Sequence, residues 1–213
     1  HNIGRNQSRK ARQNIEQDFG LVRAEHQKEI NKLTPQNVQK IQYGKSETKR
    51  AIANVLDAVL PHYKYASLTE LNAVLKQYNV LADRGGEKSK MYKHNGLVYR
   101  ILNEQGKKVG APIKASLFSN KPTLAFLEEK FIQNYQFKQR HQSRVKNTVE
   151  FSFLKNPEQT LQTLQQELQK EQISLVIKQN KAAFIHERTY VDHKAKCVFT
   201  GSDLGKQYSA NAI

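Results

Sequence analysis

At 213 residues, 38% of them hydrophobic, the chain can bury one large core or two small ones, so it is not a disordered polymer. No apolar run reaches the roughly 18 residues of a membrane span, and no charged–apolar–small signal segment is present, which favours a cytoplasmic protein with no membrane partner. The single cysteine, Cys197, excludes an intrachain disulfide and any cysteine-clustered metal centre, whereas a formal charge of +16 calls for a polyanionic partner.

The opening stretch HNIGRNQSRKARQNIEQDFG lacks an initiator methionine and carries Arg5, Arg9, Lys10 and Arg12 before any acid. A helix is expected over 6–19, capped by Asn6 or Ser8, with Ile15 and Phe19 on one face and Gly20 as its stop. Residues 21–44, with Pro35 and Gly44, read as a short helix or two and a connector. Ile52, Val55, Leu56, Val59 and Leu60 form one helical stripe, so a helix runs from about Ser46 and stops before Pro61. SLTE at 67–70 is a capping box: Ser67 takes the Glu70 N–H while Glu70 reaches back. Leu68, Leu71, Leu75 and Tyr78 then line one side of a helix ending near Asn79. Strand chemistry follows, with a break at GGEKS, Asn95-Gly96 as a tight hairpin turn and NEQGKKVG as a second turn. Pro122 opens another helix with Leu124, Leu127, Phe131 and Ile132 on one face, and a basic, glutamine-rich stretch continues to about Arg144.

The last third repeats this plan. Asn156 is expected as cap, Pro157 as first helical residue and Gln159 at the capping-box position. Leu161, Leu164, Leu168 and Ile173 match Leu68, Leu71, Leu75 and Val80 at a constant offset of 93. The expected fold class is therefore α+β: N-terminal helices over 1–44, then two helix-plus-antiparallel-hairpin modules, 45–140 and 141–213, that read as an internal duplication.

Charge separates these parts. Residues 151–213 hold 8 Lys and Arg against 6 acids, leaving 27 against 13, a net of +14, in residues 1–150. Cations bunched in loops and helix ends are suited to phosphates, set against a solvated surface that charge merely keeps soluble. Catalytic chemistry is harder to find. The seven histidines, at 1, 26, 62, 94, 141, 186 and 193, form no His-x-His or helix-face pair. His193 and Cys197 are four apart, but on an expected hairpin. ADRGGEK and GSDLGK lack phosphate-loop spacing. Tyr43, Tyr63, Tyr65, Tyr99 and Tyr208 have no adjacent base or metal group to activate a hydroxyl. Around 84–101, Tyr92 and Tyr99 are candidates for stacking unpaired bases, with Arg84 and Lys93 on phosphates, set against an ordinary division between core and surface. Ser202 with Lys206 is a candidate phosphate site at the start of a short final helix, set against a plain neutral cap.

HNIGRNQSRKARQNIEQDFGLVRAE, YGKSETKRAIANVL, SLTELNAVLKQYNVLADRG, GLVYRILNEQGKKVGAPIKAS, KPTLAFLEEKF and YVDHKAKCVFTGSDLGKQYSA together resemble the relaxases, or mobilisation nucleases, of bacterial conjugative and mobilisable elements. The resemblance spans essentially the whole chain. It implies a nicking domain of the histidine-hydrophobic-histidine class upstream of His1, holding the catalytic tyrosine, the metal-binding histidines and a divalent metal, Mg or Mn. It assigns no catalytic residue, cofactor or metal to this chain. The implied partner is origin-of-transfer DNA, single-stranded or nicked, with accessory mobilisation proteins, in the bacterial cytoplasm. Phosphate contacts are expected at Arg5, Arg9, Lys10, Arg12, Lys45, Lys49, Arg50, Arg84, Lys88, Lys90, Lys93, Arg100, Lys107 and Lys108. The rival readings are a stand-alone single-strand-binding module, a protein-interaction module of the mobilisation complex, and a nuclease using an unrecognised tyrosine.

Overall fold

The computed structural model describes residues 34–44, 47–179 and 185–209. Those from Pro35 onward belong to one compact unit; the helix expected over 6–19 lies outside the described residues. Residues 34–44 are irregular rather than helical. They are anchored by Ile41, whose N–H donates to Tyr78 and whose carbonyl accepts from the Asn79 side chain.

Helix α1 (Thr48–Val59) buries Ile52, Val55, Leu56 and Val59, and its cap at Leu60 directly precedes Pro61. Helix α2 (Leu68–Leu75) is capped by Ser67, whose side chain accepts the Glu70 N–H. The reciprocal half of the expected box is displaced: the Glu70 carboxylate accepts from Ala66 N–H, one residue upstream, because it is also drawn to Lys138. A single 3-10 turn follows, and Asn79 ends it at φ 61°, a left-handed conformation that asparagine tolerates.

The first sheet is antiparallel, with β1 (Val80–Asp83), β2 (Val98–Leu102) and β3 (Lys108–Lys114) in that order. Asn95-Gly96 is not a hairpin turn. The chain between β1 and β2 forms a short helix, α3 (Lys90–Lys93), capped by Ser89, and Asn95 at φ 52° with Gly96 N–H on the Met91 carbonyl closes it. Ser89 followed by KMYK has a helix start but no two-residue alternation, which is why the strand expectation failed. The second turn is a loop in which Asn103 accepts from Gln105 and Lys107 N–H and Gly106 takes φ 72°.

Helix α4 (Leu124–Gln139) buries Leu124 and Leu127, but Ile132, expected on that face, is 76% exposed. The glutamine-rich stretch is helical and leads into α5 (Gln142–Lys155). Thr160, not Asn156, caps α6 (Leu161–Lys170), and Pro157 lies in the preceding turn, where Gln159 N–H donates to Asn156. Strands β4 (Ile173–Gln179), β5 (Ile185–Asp192) and β6 (Cys197–Thr200) make the second antiparallel sheet, followed by α7 (Gly201–Leu204).

The two modules are built alike in detail. Gln172, 93 residues after Asn79, also has a left-handed φ, of 58°. Asn72 of α2 uses its amide to pair both the N–H and C=O of Ala82, blunting the edge of β1, and Gln165 donates in the same way to Leu175. The pairings Val80–Ile101 and Ala82–Tyr99 recur as Ile173–Asp192 and Leu175–Tyr190. Tyr99 and Tyr190 are both fully buried, each donating its hydroxyl to a carbonyl that follows its own sheet, Pro122 and Tyr208.

The modules stack. One face of the second sheet, with Leu175, Tyr190 and Phe199, packs on Leu164 and Leu168 of α6. Its other face gives Val191 and Val198 to the core formed by α1, α2 and the first sheet. Lys64 closes the seam by bridging to the outer edge of β6, donating its N–H to Lys196 and accepting from Val198.

Candidate nucleic-acid interface

Side chains alternate along a strand, so the pairings decide which residues share a face. On the first sheet, Tyr99 and Ile101 point into the core. Leu81, Asp83, Val98, Arg100, Leu102, Lys108 and Lys114 share the opposite face. The equivalents of Leu81, Asp83 and Arg100 in the second module are Ser174, Val176 and Val191. There the face is largely apolar and covered by α2. In the first module Asp83, Arg100, Lys108 and Lys114 stand among Leu81 and the buried Val98 and Leu102, and Lys108 and Lys114 reach solvent.

Asp83 organises this face. One of its oxygens accepts from Arg100 at 2.9 Å and Lys108 at 2.7 Å, while the other takes the Gly85 N–H. Burial opposes ionisation of Asp83, but Lys108, Gly85 and Arg100 together hold the carboxyl below its usual value. Gly85 adopts φ 74° so that the chain can turn at the end of β1. Beyond it the Arg84 guanidinium stacks 4.0 Å from the Tyr92 ring centre, and Lys88, Lys90 and Lys93 are exposed around α3. Lys107 is exposed in the β2–β3 turn. Residues 83–114 thus carry eight Lys and Arg against Asp83, Glu87 and Glu104.

The structure therefore brings Arg84, Lys88, Lys90, Lys93, Arg100, Lys107 and Lys108 to one sheet and its connections. It places Lys49 and Arg50 elsewhere, exposed in the first turn of α1. Arg5, Arg9, Lys10, Arg12 and Lys45 lie outside the described residues. Tyr99 is a correction: it is fully buried with its hydroxyl bonded to Pro122, so it offers no face to a base. The Ser202–Lys206 phosphate site is a second correction. Thr200 is the cap, its hydroxyl taking the Asp203 N–H while the Asp203 carboxylate takes the Thr200 N–H, so the protein's own anion occupies that helix start. Alternation of charge along the chain could not reveal the role of Asp83 or the contribution of Lys114, because both follow from strand register.

Two polar networks lie off this face. Glu70 of α2 and Lys138 of α4, each 2% exposed, form a buried ion pair, and Lys138 also reaches Asp203 of α7 at 3.0 Å and the Val198 carbonyl. Burial pushes the Glu70 carboxyl up to about 7 despite Lys138. His193 sits between Tyr63, 2.7 Å from Nδ1, and Ser174, 2.8 Å from Nε2. Its pKa is lowered by burial and then by Lys196. His193 does not pair with Cys197, whose buried thiol faces the Ala195 carbonyl and is pushed up to about 11 by burial. Among the described residues no group of three His, Cys, Asp or Glu side chains could hold a metal ion, and no helix is long and apolar enough to cross a membrane.

No family model, curated protein or solved structure matches this chain.

Proposed function

We propose that this chain is the DNA-binding portion of a relaxase that nicks and carries origin-of-transfer DNA in the bacterial cytoplasm, with nicking chemistry and its divalent metal supplied by the upstream domain. The observation that carries the binding half of this reading is the charged outer face of the first sheet. Arg100 and Lys108 flank Asp83, and six further cations lie between residues 84 and 114, where the repeated module has an apolar, covered face. A backbone-binding surface needs such clustered, solvent-reaching cations and little else. The relaxase identity itself rests on the sequence resemblance.

A second reading, docking of an accessory mobilisation protein, is favoured by α5, where Leu154, 77% exposed, borders a groove of about 660 Å³ lined also by Phe153, Pro157 and Tyr208. Titration of labelled DNA against salt separates the two. A DNA binder loses affinity linearly in log salt, with a slope near −0.9 per duplex phosphate contacted or −0.7 per single-strand phosphate. Several contacts are expected, and a flat response removes the DNA reading. Incubation with Mg²⁺ or Mn²⁺ and supercoiled origin DNA is expected to leave the DNA uncut, and nicking would transfer the chemistry to this chain.

A further inference from the structure

Tyr43 is 57% exposed in a segment otherwise pinned to the core through Ile41. Its ring end lies against Gly110 of β3: a Cβ there would fall 2.6 Å from Cε2, 3.3 Å from Cζ and 3.4 Å from Oη. Gly110 has φ 67°, so both its conformation and the space above it call for glycine. The strand is also irregular here. Ile101 pairs with Val109 and Tyr99 with Ile113, which leaves Arg100 opposite the bulged stretch Gly110–Pro112. Lys108 is two residues away on the same strand, and it shares Asp83 with Arg100. A bulge and a glycine with an aromatic ring resting on it thus place an exposed ring on the stretch of β3 that faces Arg100 and follows Lys108.

The other aromatic residues near this sheet are committed elsewhere. Tyr99 is buried, and Tyr92 already carries the Arg84 guanidinium on its ring. We propose that Tyr43 is a base-stacking residue for single-stranded DNA, with Arg100 and Lys108 on the flanking phosphates. This rests on the DNA-binding reading above and specifies which form of DNA the surface takes. Every base has a π-face, so stacking on Tyr43 is sequence-tolerant and unavailable to a base paired and stacked within a duplex.

The test uses the full chain, with a labelled 15-nucleotide oligo-dT and a hairpin duplex as probes, for wild type, Tyr43→Ala, Tyr43→Leu and Tyr43→Phe. Loss of one stacked base is expected to weaken oligo-dT binding about 5- to 150-fold in the Ala and Leu variants. The Phe variant should stay within about twofold, because its ring face is retained. The salt slope and duplex affinity should not change, since no phosphate contact is lost. If wild type binds either probe with a salt-dependent constant and the Ala and Leu variants bind oligo-dT equally well, the stacking role is wrong and the DNA reading stands. If wild type binds neither probe, both fail. A thermal midpoint that drops in the Ala variant, with no selective loss of oligo-dT binding, would make Tyr43 a packing residue and also overturn the proposal.

Discussion

The Glu70–Lys138–Asp203 cluster shows how one buried cation is tied to three elements. Lys138 reaches α2, β6 and α7 at once. Removing one partner of such a pair leaves an uncompensated charge, so Lys138→Met is expected to cost about 3–5 kcal/mol near pH 8. The cost should shrink toward pH 5. Because burial raises the Glu70 carboxyl to about 7, the folded state holds a proton that the unfolded state has already released. The contribution of Glu70 to stability is therefore largest below its ordinary value and is lost as pH rises through about 7. Denaturant melts of wild type and the Met variant at both pH values check this, and a pH-independent difference would mean that Glu70 stays ionised. His193 has the opposite sense. Its lowered pKa keeps it neutral between Tyr63 and Ser174, and stability from this contact falls as pH drops through its folded value.

At the scale of elements, caps decided boundaries that hydrophobic spacing left open. The stripe Leu161, Leu164, Leu168 is equally compatible with a start at Asn156 or Thr160. Thr160 accepts the Thr163 N–H, whereas Asn156 serves the turn before it through its carbonyl. Thr160→Ala is expected to destabilise by about 0.5–2 kcal/mol. Asn156→Ala should cost less, because the carbonyl is kept, and equal losses in urea melts would put the helix start back at Asn156. Helix α2 was readable because the Ser67 cap and the stripe agreed, and α1 because its stripe ran up to Pro61. The KMYK helix was hidden because Asn-Gly between hydrophobic runs is also a hairpin signal, and the Ser89 cap lies outside that pattern.

At the scale of the molecule, Val191 and Val198 join the second sheet to the first module's core, so the two repeats share buried surface. They are expected to unfold in one transition from Pro35 onward. Val191→Ala should lower that single midpoint, whereas two resolved transitions by calorimetry would show that each repeat holds its own stability. The sequence by itself determined the α+β class, the constant offset of 93 between modules, the main helical stripes and the excess of cations in the first two thirds, because these depend on neighbours a few residues apart. Only tertiary structure decided that Tyr99 is core, that Lys138 ties Asp203 to Glu70, and that Tyr43 meets Gly110 beside Arg100. Those outcomes depend on strand register, on a bulge and on which sheet face is covered, and segments well separated along the chain set each of them.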